Sequence, residues 1–209
     1  GELIARDVTI GGLRDQEGSS VGIYLTESPS IRLDAVRIFE HNEGGAFLSG
    51  PDIEIVGSFF EDNENTDWDW WRPAAALHIL DESVARVEDT EFNRNAMPWW
   101  SGEGSSGGVV VADWDAQLTV TSSVFADNEG TPIYGLYADR VSVVDSLFMG
   151  TFNAEVGALA SEGTAEVNVD SCAVEGVEAD VAAGFAIVHQ GLPQRRAADE
   201  TLFTLIDTT

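Results

Sequence analysis

The sequence predicts an all-β fold, a right-handed parallel β-helix of about seven coils, and three observations carry that expectation. The first is a phrase that returns along the chain as Ile55-x-x-Ser58-x-Phe60-x-x-Asn63, Val87-x-x-Thr90-x-Phe92-x-x-Asn95 and Val120-x-x-Ser123-x-Phe125-x-x-Asn128. The second is its period: Ile38 to Phe60 is 22 residues and Phe125 to Phe148 is 23. Self-similarity at such a period marks a solenoid, in which each unit buries its apolar face only against its neighbours. The third is the content of each unit, two or three short apolar runs separated by Gly, Asn or Asp. Runs this close leave no room for helical crossovers, so the sheet must coil upon itself.

The first copy is degenerate, Leu33 to Ile38 with Asn42, and the later ones weaken into Val143-x-x-Ser146-x-Phe148 and Val169-x-x-Cys172-x-Val174. Within a unit, alternation such as Leu118-x-Val120, Val141-x-Val143 and Val167-x-Val169 has the period of two that strands require. The Ser/Thr-x-Phe corner follows, then the Asn turn, then a second run: Gly44 to Leu48, Ala74 to Ile79, Gly107 to Val111, Ile133 to Leu136, Val156 to Leu159. Coils stacked about 4.8 Å apart place equivalent residues above one another. The phrase therefore predicts an internal stack of Phe60, Phe92, Phe125 and Phe148 and a ladder of Asn63, Asn95 and Asn128. Cys172 falls on the position of Ser58, Thr90, Ser123 and Ser146, which reads as a small buried side chain. Residues 1–190 form one domain without an internal linker. Residues 191–209 break the rhythm and read as a turn and a strand from Leu202 to Ile206, a cap or a link onward. Gly1-Glu2-Leu3-Ile4 reads as entry into an ongoing coil, as expected of a piece of a longer chain.

Composition narrows the partners. The 209 residues carry 37 acidic against 10 basic side chains, a formal charge of −27, and every basic residue is Arg. Such a surface argues against nucleic acid, whose phosphates are met by Lys and Arg, and against anionic lipid. Genomic base composition or adaptation to high salt, where self-repulsion is screened, would each produce it. A single cysteine excludes an internal disulfide. No apolar run reaches the length of a membrane span, so no insertion is expected in this segment.

The pairing of Phe60-x-x-Asn63, Phe92-x-x-Asn95 and Phe125-x-x-Asn128 with Gly44-Gly45-Ala46-Phe47 and Gly107-Gly108-Val109-Val110 resembles the polymorphic outer-membrane protein repeats. That family lies within the pectate-lyase-like right-handed β-helix group. The resemblance covers most of the chain and implies a secreted or surface-displayed protein of a bacterial envelope, often adhesive. It carries over architecture and no catalytic residue. The chain departs from the pattern where Ala74-Ala75-Ala76 replaces the glycines and where Thr151 and Val177 replace Asn.

Function is sought where the period breaks. Phe60 to Phe92 is 32 residues and Phe92 to Phe125 is 33, and the excess follows the Asn turn in both coils. Insertions into a solenoid map to one face, commonly the binding face. These two hold five of the six tryptophans, Trp68, Trp70, Trp71, Trp99 and Trp100, with Arg72 beside them. Large aromatics are costly to expose, so they either pack on the flank or serve recognition. A glycan is the first candidate ligand, its rings stacking on indoles, its hydroxyls bonding Asp67 and Asp69, and an acidic group pairing Arg72; a surface protein is the second. Asn63, Asn65, Asp67 and Asp69 alternate, so in an extended stretch their oxygens project one way, and Asn65, Asp67 and Asp69 form a candidate Ca²⁺ site. The Gly and closing Glu of an EF-hand loop are missing. The alternative there is a solvated acidic loop.

The expected function is thus non-catalytic adhesion or recognition outside the cell. A polysaccharide-processing enzyme in the same groove is the first alternative and a structural segment of a surface fibre the second. Asp62, Glu64, Asp67, Asp69 and Glu103 could supply a carboxylate pair. In so acidic a chain a pair proves nothing. The polygalacturonase-like elements Asp-Asp, Gly-His-Gly and Arg-x-Lys are absent, and a lyase would have to neutralise its uronate with Arg72 or Arg94. His78, in the strand after the first insert, reads as a packed or exposed bystander rather than a base.

Overall fold

A computed structural model of the chain describes residues 2–12, 20–65, 74–97, 107–182, 184–187, 202–206 and 208. These residues form three parallel sheets that run the length of a solenoid. The first sheet has eight strands: Glu2–Arg6, Ser30–Asp34, Ile53–Val56, Val84–Glu88, Gln117–Thr121, Arg140–Val144, Glu166–Asp170 and Leu202–Ile206. The second has seven: Thr9–Gly11, Arg37–Phe39, Phe59–Glu61, Glu91–Asn93, Val124–Ala126, Leu147–Met149 and Ala173–Glu175. The third also has seven: Ile23–Leu25, Ala46–Leu48, Ala74–Ile79, Gly108–Asp113, Ile133–Leu136, Leu159–Glu162 and Phe185–Ile187. A short pair, Ala154–Val156 with Ala179–Ala182, widens two late coils. The chain visits the sheets in rotation, so each coil contributes one strand to each. The strand expected at Leu202 to Ile206 pairs with Glu166–Asp170 and carries the first sheet one coil further.

A left-handed residue turns most corners between the sheets, and at Trp114-Asp115 two in succession do so. After the first sheet it is Asp7, Ala35, Gly57, Asp89, Ser122, Asp145 or Ser171, with φ between 49° and 56°. After the second it is Glu40, Asp62, Arg94, Asp127, Gly150 or Gly176. A non-glycine residue there costs about 1–2 kcal/mol, which is why these bends collect Gly, Asp and Ser. Side-chain bonds between coils offset the cost. Ser58 Oγ donates to Val56 O and accepts the amide of Val36, and Thr90, Ser123 and Ser146 repeat the pattern one coil later each time. Cys172 fills the next place, buried, its thiol on Asp170 O.

Inside, the predicted aromatic stack is present. Phe60, Phe92, Phe125 and Phe148 are fully buried, and successive ring centroids lie 5.1, 4.8 and 4.9 Å apart with near-parallel planes. The asparagine ladder runs beside it. Asn95 Oδ1 accepts both the backbone and the side-chain N–H of Asn63, while its Nδ2 donates to Phe60 O; Asn128 does the same for Asn95 and Phe92 O. The Gly-Gly-Ala phrase has a steric reason as well: a Cβ on Gly45 would stand 2.6 Å from Ala76 O in the next coil.

Candidate functional site

The third sheet buries both of its faces. Leu77, Val110, Ile133 and Leu159 point into the main core, whereas Val111, Tyr134 and Ala160 belong to a second cluster with Ala74 and Val156. Alternation along the strands places that second row on the outer wall. The wall's register runs Phe47, His78, Val111, Tyr134, Ala160, all buried.

A polar cluster lies at the carboxyl ends of these strands. His78 and Asp113 are both buried, and His78 Nε2 stands 2.6 Å from Asp113 Oδ2. Phe47 meets the imidazole edge-on at 5.6 Å. His78 Nδ1 and Asp113 Oδ1 have no hydrogen-bond partner among the described residues. Two coils further, the buried carboxylate of Glu162 accepts from Tyr134 OH at 3.2 Å and from Tyr137 OH at 3.0 Å. Partial burial and then the charge of Glu162 push the Tyr137 phenol up. Asp81 is likewise held above the usual carboxylate range, first by desolvation and then by Asp113.

The rim of this cluster is aromatic. Trp114 stacks on Tyr137 with centroids 5.1 Å apart and an interplanar angle of 27°. The indole is 45% exposed, so it forms surface rather than core. Both residues hold positive φ, 31° at Trp114 and 56° at Tyr137. Bulky residues rarely occupy that region, and its strain gathers at functional positions. The coil beyond makes room: Gly163, at φ 63°, is where a Cβ would strike the Tyr137 ring at 2.4 Å. Along the axis this corner therefore reads Asp81-Glu82, Trp114-Asp115, Tyr137, Gly163. A stacked aromatic pair edged by carboxylates can hold a flat apolar face while accepting bonds from its polar rim.

The expected site residues Trp68, Trp70, Trp71, Arg72, Trp99, Trp100, Asp67 and Asp69 lie outside the described residues. Asn65, the remaining candidate metal ligand, is buried and donates its side-chain amide to Ala74 O at 3.1 Å. Among the described residues no group of three His, Cys, Asp or Glu side chains is placed to hold a metal ion. The inserts do join the third sheet, since the chain re-enters it at Ala74 and Gly108. Arg94, considered for a uronate, forms a two-bond ion pair with Asp62 on the corner after the second sheet. His78 is packed, as one of the two expected positions had it, and its Nε2 is held on Asp113. The sequence reading passed over Trp114, Tyr134, Tyr137 and Glu162. The available signal was the coil period itself, which aligns Asp81, Trp114, Tyr137 and Gly163 at one corner.

Comparison with known proteins agrees with the architecture. The family described as the right handed beta helix region matches residues 5–190. The chain belongs to that family. No curated protein matches it. Among solved structures it is similar to a glycosyl hydrolase candidate from Parabacteroides merdae, with 10% identity over 87% of this chain and 83% of that one and a TM-score of 0.39. A likeness that distant says nothing of activity.

Proposed function

We propose that this β-helix protein is a non-catalytic recognition module of the cell exterior that binds a glycan at the corner after its third sheet. The carrying observation is the half-exposed Trp114–Tyr137 stack bordered by carboxylates. Indole and phenol faces take the apolar face of a pyranose, and carboxylates accept its hydroxyls. Trp68, Trp70, Trp71, Trp99 and Trp100, with Arg72, are the second candidate contact for the glycan, in inserts that lead into strands of this sheet at Ala74 and Gly108. The resemblance of the Phe-x-x-Asn and Gly-Gly-Ala phrases to envelope repeats supports an extracellular or bacterial surface setting.

A glycan-array screen in Ca²⁺ and in EDTA tests the reading, with Trp114→Ala, Tyr137→Ala and Trp99→Ala/Trp100→Ala alongside. Binding that is lost in the Trp114 and Tyr137 variants supports it, and sensitivity to EDTA would add the ion at Asn65, Asp67 and Asp69. Absence of binding to any glycan in either buffer contradicts it. One observation favours a second reading, a polysaccharide-cleaving enzyme: burial and then the neighbouring Asp113 raise the Asp81 carboxyl, and His78 holds Asp113. A carboxyl raised by its surroundings beside a second carboxyl is part of the apparatus of glycoside hydrolysis. Release of reducing ends that stops in Asp81→Asn would favour that reading over simple binding.

A further inference from the structure

The aromatic pair at the corner after the third sheet follows the geometry of the stack inside. Trp114 and Tyr137 stand one coil apart, the Trp114 amide donating to Leu136 O and the Asp115 amide to Tyr137 O. Their centroids are 5.1 Å apart, against 5.1, 4.8 and 4.9 Å in the internal phenylalanine stack. Each of these is close to the rise of one coil, about 4.8 Å. Near-parallel rings at that distance are too close to lie side by side in one plane, so they meet face to face. The ring planes therefore lie across the axis of the solenoid, one to a coil.

A stack so oriented offers a ligand only its end faces, and one of them is closed. Gly163, in the coil beyond, packs against the far face of Tyr137: a Cβ there would lie 2.4 Å from Cδ1 and 2.7 Å from Cε1 of the ring. The Tyr137 hydroxyl is engaged by Glu162. The other end is open. Tyr137 already covers one face of Trp114, yet the residue is 45% exposed. A flat group with one face covered keeps little more than its other face and its rim. The indole face turned to the preceding coil is therefore bare. That coil places Asp81 and Glu82 at this corner, both exposed, the Glu82 amide donating to Trp114 O at 3.0 Å.

We infer that the glycan contributes one neutral hexopyranose ring, which lies on this face as a further rung of the stack, so that the corner reads a single sugar and not a run of them. The inference rests on the glycan reading above. The C–H groups of a pyranose face suit an aromatic face, and the hydroxyls at its edge can donate to carboxylates of the same coil. The next sugars of a linear chain extend from the edge of that ring, roughly in its own plane. They leave the indole instead of meeting a second face. A uronate would bring one more anion to a chain of net charge −27.

Fluorine NMR of the whole chain grown with 5-fluorotryptophan tests this. Its six indoles give one resonance each, and Trp114→Phe or Trp114→Tyr identifies that of Trp114. The probes are the methyl β-glycosides of glucose, galactose and mannose and the β-linked trisaccharide of each. At least one series should bind in the millimolar range, which is what about a dozen heavy atoms allow. Its glycoside and trisaccharide should agree within about threefold, the statistical gain of offering three rings, and the Trp114 resonance alone should shift. Any larger gain with length overturns the inference, since further faces then contribute. Movement of another indole also overturns it and moves the contact to the inserts; in both cases the glycan reading stands. Failure of all six probes overturns the inference alone if the array finds another glycan, and together with the glycan reading if it finds none.

Discussion

The corner after the first sheet and the corner after the third are built from the same backbone bend and opposite sequence logic. At the first, the left-handed residue leads into a hydroxyl at Ser58, Thr90, Ser123 and Ser146, then a phenylalanine in the stack, so every coil repeats the one below. Like lies on like because uncharged groups lose nothing by being stacked, and each new coil satisfies the polar groups of the last. At the third, the coils carry Asp81-Glu82, then Trp114-Asp115, then Tyr137, then Gly163. Two bulky aromatics stand there at positive φ, a strained region, with Trp114 45% exposed. On the proposed function the solenoid separates its tasks by position: the corner that repeats holds the fold, and the corner that varies is the one proposed to meet the glycan.

Substitutions sharpen that contrast, and the largest effects belong to the repeating corner. Phe92→Ala should cost about 4 kcal/mol, because it opens a cavity between two stacked rings that no neighbour can fill; urea unfolding measures it. Asn95→Ala should cost about 3 kcal/mol by the same measurement, since it strands two donors of Asn63 and the Phe60 carbonyl in the interior. Gly163→Ala strikes the variable corner. It should cost about 1–2 kcal/mol for the left-handed backbone and, by pushing Tyr137 off its place, weaken glycan binding as well. Equal stability with intact binding would show that the platform does not depend on that gap.

Acid supplies a smaller test. Burial holds the His41 imidazole below its ordinary value of 6.5, so the folded state prefers it neutral. Its contribution is complete above 6.5 and is lost as the pH falls from there towards the lowered folded value. Between about pH 7 and pH 5 the parent should therefore lose more stability than His41→Asn, as followed by urea midpoints. Parallel slopes for the two would mean that His41 takes up its proton without cost.

The fold was legible because its determinants recur. Phe60, Phe92 and Phe125 with their Ser or Thr two residues before and their Asn three residues after announce themselves by period. The left-handed corners were legible only as scattered Asp, Gly and Ser, since the bend is a backbone event that many residues accept. The outer cluster stayed hidden for the opposite reason. His78 meets Asp113 across 35 positions, and Tyr134 meets Glu162 across 28, through different residue types in each coil. Pairing of unlike side chains leaves no repeat to count. The tryptophan-rich inserts are conspicuous by composition, whereas Trp114, the one tryptophan outside them, carries no such signal.

Trp114→Ala, examined for unfolding and for glycan binding in the same preparation, tests the separation of tasks most directly. Stability within about 0.5 kcal/mol of the parent, together with lost binding, is the expected result for a residue that serves the surface. A loss of about 3 kcal/mol with binding intact would contradict it and make the indole one more member of the packing.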